Sequence, residues 1–279
     1  MINNNFLVFI ITHKRANSVL TFTALREQGY SGDICLIVDD TDNQIVEYKQ
    51  KFNNVVVFNK QEYIDKVDTL CYPKNPNSAV YARAFVEDYA RSLNLKSFML
   101  IDDDITRFNF RYNDNGLLRS MKVSNLDDVI NIYNNYLLEC NLSTISFGGG
   151  ASYIGGISCL DNNMKRRCFQ CYLRNVSIPL TWVSNMNEDY ISTVREGKLG
   201  KLLFELLDVG IVAKETMTGN QSGGMQEFYK QVDTFKRSFF SVISDPSSFS
   251  VQNKKDKFII RCKWNNAVPK IVSSFYKKR

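Results

Sequence analysis

The chain of 279 residues is 44% hydrophobic, enough apolar material for one large α/β domain or two small ones and too much for wholesale disorder. No run approaches the roughly 20 apolar residues of a membrane span, and the opening Met1-Ile2-Asn3-Asn4-Asn5-Phe6 lacks the basic start of a signal peptide. Seven cysteines at scattered spacings fit a reduced, cytoplasmic protein better than a disulfide framework. The net charge of +6 is unevenly placed: residues 1–199 hold 21 basic and 22 acidic side chains, residues 200–279 hold 14 and 7.

Taken in order, the chain begins with the apolar run 6–11, a candidate central parallel strand. Thr12-His13-Lys14-Arg15 follows, then a helical pattern that Gly29 ends. A second buried strand, 34–38, ends in Asp39-Asp40; a helix over 43–52 and a third strand, 55–58, complete a β-α-β-α-β half-sheet of the nucleotide-binding kind. No Gly-rich fingerprint follows the first strand, which argues against NAD or P-loop chemistry. Residues 59–77 read as irregular, and a helix from about 78 to 93 carries Tyr81, Phe85 and Tyr89 on one face with Arg83 elsewhere.

That helix leads into Phe98-Met99-Leu100-Ile101-Asp102-Asp103-Asp104. Four apolar residues predict a buried strand; the carboxylates must emerge at its C-terminal end, where open α/β sheets bind ligands. Alternation along a strand puts Asp102 and Asp104 on one face and turns Asp103 away. Two like-facing carboxylates repel unless a cation separates them, and oxygen-only ligands suit Mg²⁺ or Mn²⁺, above all when a diphosphate completes the shell. A solvated acidic turn gives the same letters.

Downstream, Asn125 is placed to cap a helix to about Cys140 with Ile132, Tyr136 and Leu137 on its apolar side. The segments 143–147, 151–158, 168–173 and 178–183 read as short strands, more in keeping with antiparallel pairing. Cys168 and Cys171 form one C-x-x-C with no second pair, so a structural role outweighs zinc. Asn187-Glu188-Asp189 opens a helix to about Lys198, and a polar Gly-rich loop, 218–226, precedes a helix over 225–237. In 254–279 nine Lys or Arg face only Asp256, interleaved with Phe258, Trp264, Phe275 and Tyr276. Such a segment suits a phosphate backbone with stacked bases, or a solvated tail with core anchors. The two halves, 1–110 and 111–279, read as a single continuous domain.

In order and spacing these features resemble the GT-A fold nucleotide-sugar glycosyltransferases. The resemblance spans about residues 6–200 and rests on 11–15, Asp39-Asp40, Ala82-Arg83, the D-x-D-like Asp102-Asp103-Asp104 and the later Glu188-Asp189. It departs where the family has A-R-N, since Ala84 follows Arg83, and where the later E-D lacks its usual continuation. Within the superfamily the chain is most similar to the phage and TET/JBP-associated enzymes that modify hydroxymethylated DNA bases.

The resemblance implies an α/β fold, a Rossmann-like mixed sheet flanked by helices with an antiparallel C-terminal half. It implies Mn²⁺ or Mg²⁺ on Asp102 and Asp104, and a UDP-sugar near Thr12, Arg15, Asp39 or Asp40, Arg83 and Asp103. Either Glu188 or Asp189 would be the base; acids stabilising a helix N-terminus is the plainer reading of both. DNA with hydroxymethylated bases would meet Gly223, Gly224, Gln226, Lys254, Lys255, Lys257, Arg261, Lys263 and Trp264. Rival readings are a polysaccharide or protein acceptor, and an inactive DNA- or protein-binding module.

Overall fold

A computed structural model describes residues 5–70, 72–160, 168–214, 232–254 and 257–267. The first apolar runs form β1 (Phe6–Ile11), β2 (Ile34–Asp39), β3 (Val55–Phe58) and β4 (Ser97–Asp102), joined by α1 (Leu20–Glu27), α2 (Ile45–Lys51), α3 (Lys60–Lys66) and α4 (Val80–Ser92). All four strands are parallel, in the order β3-β2-β1-β4. This follows from their continuous apolar sequence, which needs cover on both faces. Side chains of β1 alternate between two cores: Val8 and Ile10 pack with α1, Phe9 and Ile11 with α4.

The sheet continues through β5 (Ile105–Asp114), β6 (Leu117–Lys122), β7 (Thr144–Gly148), β8 (Cys171–Asn175) and β9 (Leu203–Ala213) to the order β3-β2-β1-β4-β8-β7-β9-β5-β6. β8 runs antiparallel to β4 and β7, β5 runs antiparallel to β9 and β6, but β7 and β9 are parallel. The mixed α/β sheet flanked by helices is the architecture the resemblance implies; its second half is only partly antiparallel. Between β6 and β7 lies α5 (Leu126–Glu139), whose N-cap Asn125 accepts a bond from the Asp128 amide as expected.

Several local expectations are corrected. Residues 60–66 are helical because Asn59 caps them and Tyr63 anchors them in the core. Residues 151–158 form two short 3₁₀ turns (Gly150–Tyr153 and Gly156–Cys159), with Gly155 and Gly156 at positive φ that a strand cannot use. Residues 178–183 form no strand, β8 begins only at Cys171, and Ile132 is exposed while Val129 and Ile130 take its place in the core. Of the helix expected over 225–237, residues 225–231 lie outside the described set; Val232 and Asp233 are not helical, and the Asp233 carboxylate accepts from the Lys236 amide to cap a helix that runs from Thr234 to Ser244. Among the described residues no helix is long and apolar enough to cross a membrane.

Beyond the sheet, α6 (Glu188–Lys198), the helix Thr234–Ser244, and a hairpin of β10 (Phe249–Lys254) and β11 (Lys257–Cys262) share a third apolar cluster. One buried ion pair ties the two halves. Arg174 on β8 is fully buried and donates to Glu87 of α4, while its other nitrogens bond Ser143, Thr144 and the Ile178 carbonyl. Glu87→Ala strands that guanidinium, and loss of about 3–5 kcal/mol in urea unfolding is the expected outcome. A loss under 1 kcal/mol would show that the pair does not fasten α4 to β8.

Candidate active site

The C-terminal ends of β1, β2 and β4 open into a cleft of about 380 Å³. Its lining includes Thr12, His13, Arg15, Asp39, Lys60, Arg83, all three of Asp102, Asp103 and Asp104, and both Glu188 and Asp189. Residues from distant parts of the sequence thus meet where the strand order places a ligand.

The acidic stretch is not a continuing strand. β4 ends at Asp102, and Asp103 and Asp104 form the turn into β5. Alternation therefore stops at Asp102, and the expectation that Asp103 turns away from the site is corrected. Asp103 accepts bonds from Thr12 Oγ1 at 2.7 Å and Arg15 Nη1 at 2.6 Å. Tyr48 of α2 supports that arm: its hydroxyl bonds Thr12 Oγ1 and accepts from the Arg15 amide. Asp102 meets Arg83 Nη2 at 3.0 and 3.3 Å. The Asp104 Oδ1 is buried and has no hydrogen-bond partner among the described residues.

The turn itself is pinned by Thr21 of α1, a residue the sequence reading passed over. Its hydroxyl donates to the Asp102 carbonyl and accepts from the Ile105 amide, while its own amide donates to the Asp103 carbonyl. From the other side the Lys214 amide donates to the Asp104 carbonyl. A threonine inside a helix gives no sequence signal for this.

Burial, first, and then the neighbouring charges of Asp102 and Asp103 push the Asp104 carboxyl up to about 7. Burial also raises Asp102 and Asp103, against the opposing pull of Arg83 and Arg15 respectively. Arg83 is 4% exposed, lies over the rings of Tyr172 and Trp182, and has Nη1 unpaired. Burial disfavours its charge, but Asp102 and further anionic neighbours outweigh that and raise it. Its Nε lies 3.4 Å from Glu188, within ion-pair distance but without hydrogen-bond geometry. Burial lifts Glu188 to about 7, Arg83 opposing and Asp189 adding. Asp189 is half-buried, lines the cleft and forms no ion pair among the described residues.

At the other end, Asp39 is already saturated. His13 Nδ1 lies 2.7 Å from Oδ2; Thr41 and Lys60 (Nζ at 3.3 Å) share Oδ1. Burial would raise Asp39, but the His13 and Thr41 bonds win and hold it below the usual carboxylate range. Lys60 is 6% exposed, a buried cation the sequence reading missed by taking its segment as irregular. Asp40, expected beside the nucleotide, is exposed outside the cleft lining and caps α3 by accepting from the Lys60 amide.

The acceptor residues are less gathered. Gly223, Gly224, Gln226 and Lys255 lie outside the described residues. Lys254 and Lys257 pair at the end of the β10–β11 hairpin; Arg261 bonds Gln252; Lys263 is exposed. Trp264 is corrected from a free stacking group to an anchor, its ring parallel to Tyr190 of α6 at 6.2 Å. That contact sets the hairpin beside the helix that carries Glu188 and Asp189. Cys168 and Cys171 are buried thiols, both pushed up first by burial.

Among the described residues no group of three or more His, Cys, Asp or Glu has the arrangement to hold a metal ion alone. The donors present still fit a hard divalent cation in part: carboxylate oxygens, one of them buried and unpaired, leaving the remaining positions to a ligand's own oxygens.

The cleft, with its acidic turn among opposed cations and carboxylates, lies wholly within the part of the chain that a family model covers. The model of the TET-associated glycosyltransferase family matches residues 6–224, and the chain belongs to that family. No curated protein matches. Among solved structures, glucosyl-3-phosphoglycerate synthase from Mycobacterium tuberculosis with Mg²⁺ and uridine diphosphate is 10% identical, covering 92% of this chain and 86% of that one at a TM-score of 0.45. The same enzyme with Mn²⁺, UDP-glucose and phosphoglyceric acid is 11% identical, covering 97% and 88% at 0.46. S. aureus TarS 1–349 is 10% identical, covering 86% and 65% at 0.41.

Asp104 yields a signed pH prediction. Its folded value of about 7 exceeds the unfolded value of roughly 3.9, so the unfolded chain ionises first and stability falls as pH rises between them. Asp104→Asn removes that penalty: in EDTA the variant should match the wild type below pH 4 and exceed it by up to about 4 kcal/mol at pH 8. Thermal melts at both pH values check this; a variant less stable at pH 8 would mean the carboxylate is satisfied.

Proposed function

We propose that this glycosyltransferase moves a sugar from a UDP-sugar, glucose by resemblance, onto the hydroxymethyl group of a modified pyrimidine in DNA, with Mn²⁺ or Mg²⁺ as cofactor. The observation that carries the donor half is the buried, unpaired Asp104 oxygen beside Asp102, in one cleft with Arg15, Lys60 and Arg83. A cation bound there supplies Lewis-acid neutralisation of the leaving diphosphate.

The chain's own residues do the rest. Arg83 has an unpaired Nη1 to donate to a diphosphate oxygen, and its stacking on Tyr172 and Trp182 holds it in place. Because both Asp39 oxygens are engaged, Asp39 acts by holding His13 and Lys60, and those two present donors to the uracil and ribose. In the transfer the bond between the sugar C1 and the diphosphate oxygen breaks, and the electron pair leaves with UDP. The acceptor oxygen bonds to C1, and its proton passes to Asp189, the acid of the pair that faces the cleft without an ion pair. Glu188, held against Arg83, positions that guanidinium.

The DNA half is supported by family membership and by the basic β10–β11 hairpin seated against α6. Release of UDP from UDP-glucose in the presence of Mn²⁺, dependent on hydroxymethylated rather than plain DNA, is the direct test. Asp189→Asn should lower kcat by a factor of about 10²–10⁴ with little change in KM. Wild-type kcat in that variant would move the proton acceptor elsewhere, and turnover indifferent to DNA would favour the polysaccharide or protein acceptor.

A further inference from the structure

Phe169 and Gln170 form the bend that leads into β8; both are half-buried and both line the cleft. The bend is tied to the acidic turn, since the Asp102 amide donates to the Gln170 carbonyl at 2.9 Å. Gln170 is held at a φ of 56°, in the left-handed region that few residues other than glycine adopt. Glycine takes up that backbone freely, so a glutamine here is explained by what its side chain does rather than by the turn. The Phe169 ring reaches from the bend to the end of β7, where its tip lies against Gly149; a Cβ at position 149 would overlap its Cζ. A glycine there leaves room for the ring.

Sheet order determines what this end of the cleft meets. β2, β1, β4 and β8 are consecutive neighbours, and β8, antiparallel to β4, begins where the other three end. Asp39, with His13 and Lys60, stands at the end of β2, and the acidic turn follows β4. Gln170 is one strand further on, three strand spacings or about 14 Å from the Asp39 end. A nucleoside at β2 and a diphosphate at the acidic turn leave the β8 end for the sugar and the group that receives it. The two acids of α6 belong to the same end, because Arg83 lies between Asp102 and Glu188.

Resting on the reading of DNA as the acceptor, we propose that Phe169 and Gln170 are the acceptor subsite. An extrahelical pyrimidine lies flat on the Phe169 ring and turns its Watson–Crick edge to the Gln170 amide. A base taken out of the stack is recognised by these two features, its face and that edge. Phe169 supplies a flat apolar surface. The Gln170 amide both donates and accepts, which matches N4–H beside N3 in cytosine and, turned over, O4 beside N3–H in uracil. The hydroxymethyl group on C5 is attached in the plane of the ring next to that edge, so stacking leaves it open to Asp189.

The test uses the full chain with Mn²⁺, UDP-glucose and a single-stranded oligonucleotide bearing one 5-hydroxymethylcytosine, with UDP release as the readout. Phe169→Leu, which stays apolar but loses the flat ring, should raise the acceptor KM roughly 5- to 150-fold, the range for losing one base–aromatic stack. Its affinity for UDP-glucose should not change. Gly149→Ala should act in the same direction by displacing the ring. Gln170→Gly relieves the backbone, so its thermal midpoint should rise while its acceptor KM rises about fivefold or more. A lower midpoint with an unchanged acceptor KM would make Gln170 a brace of the turn and overturn its role. If wild type turns over the oligonucleotide and the Phe169 and Gln170 variants keep its acceptor KM, the subsite is wrong while the DNA acceptor stands. Weaker binding of UDP-glucose at unchanged UDP affinity would assign the pair to the donor sugar, which also overturns the proposal. If wild type releases no UDP in response to the hydroxymethylated strand, the acceptor reading fails first and the subsite falls with it.

Discussion

Three consecutive carboxylates at the end of a buried strand are the constraint around which the rest of the molecule is arranged. Left together in low dielectric they would repel one another and resist ionisation. The fold answers with a different partner for each. Asp102 has Arg83 from α4, Asp103 has Arg15 and Thr12 from the loop after β1, and Asp104 keeps one oxygen with none. The backbone of the turn is fixed separately, by Thr21 below it and Lys214 beside it. Residual unmet charge is thus concentrated on one oxygen in an open cleft, where the proposed cation and diphosphate would lower the energy of the site most.

Distant elements serve this arrangement through Arg83. Its guanidinium is stacked on Tyr172 and Trp182, and α4 is bolted to β8 by the Glu87–Arg174 pair one turn further along the helix. Glu188 at the start of α6 completes the surround, its backbone entered through Asn187 at a positive φ of 50°. Asparagine tolerates that left-handed conformation better than most residues. The stability held in the Arg174 pair and the instability stored at Asp104 have a common outcome: a rigid frame around a site that is incomplete without its ligand.

Much of the first half was legible because periodicity and burial agree there. Continuous apolar strands that alternate with short helices allow few arrangements, and the acidic stop at Asp102 marked the ligand end of the sheet. Asp39, Arg15, Arg83, Glu188 and Asp189, singled out in the sequence, all line one cleft. The failures have physical causes. Alternation was carried past Asp102, although the chain turns there to start β5. Lys60 was hidden because a seven-residue helix capped by Asn59 leaves little periodicity to see. The β5–β6 hairpin was overlooked despite Asn115-Gly116, a strong hairpin signal, because β6 (Leu117–Lys122) neither alternates apolar with polar residues nor forms an apolar run. Trp264 read as a free aromatic among cations, but only tertiary packing shows it lying on Tyr190.

The central claim is that Asp102 and Asp104 form half of a cation site and that the donor's diphosphate forms the other half. Titration of the protein with Mn²⁺, followed by the loss of the free ion's electron paramagnetic signal, tests it most directly. With UDP present, binding should be at least tenfold tighter than without it, equivalent to about 1.4 kcal/mol of coupling, and the same factor should appear in the affinity for UDP when Mn²⁺ is added. Equal Mn²⁺ affinity with and without UDP, or no binding in either case, would contradict it.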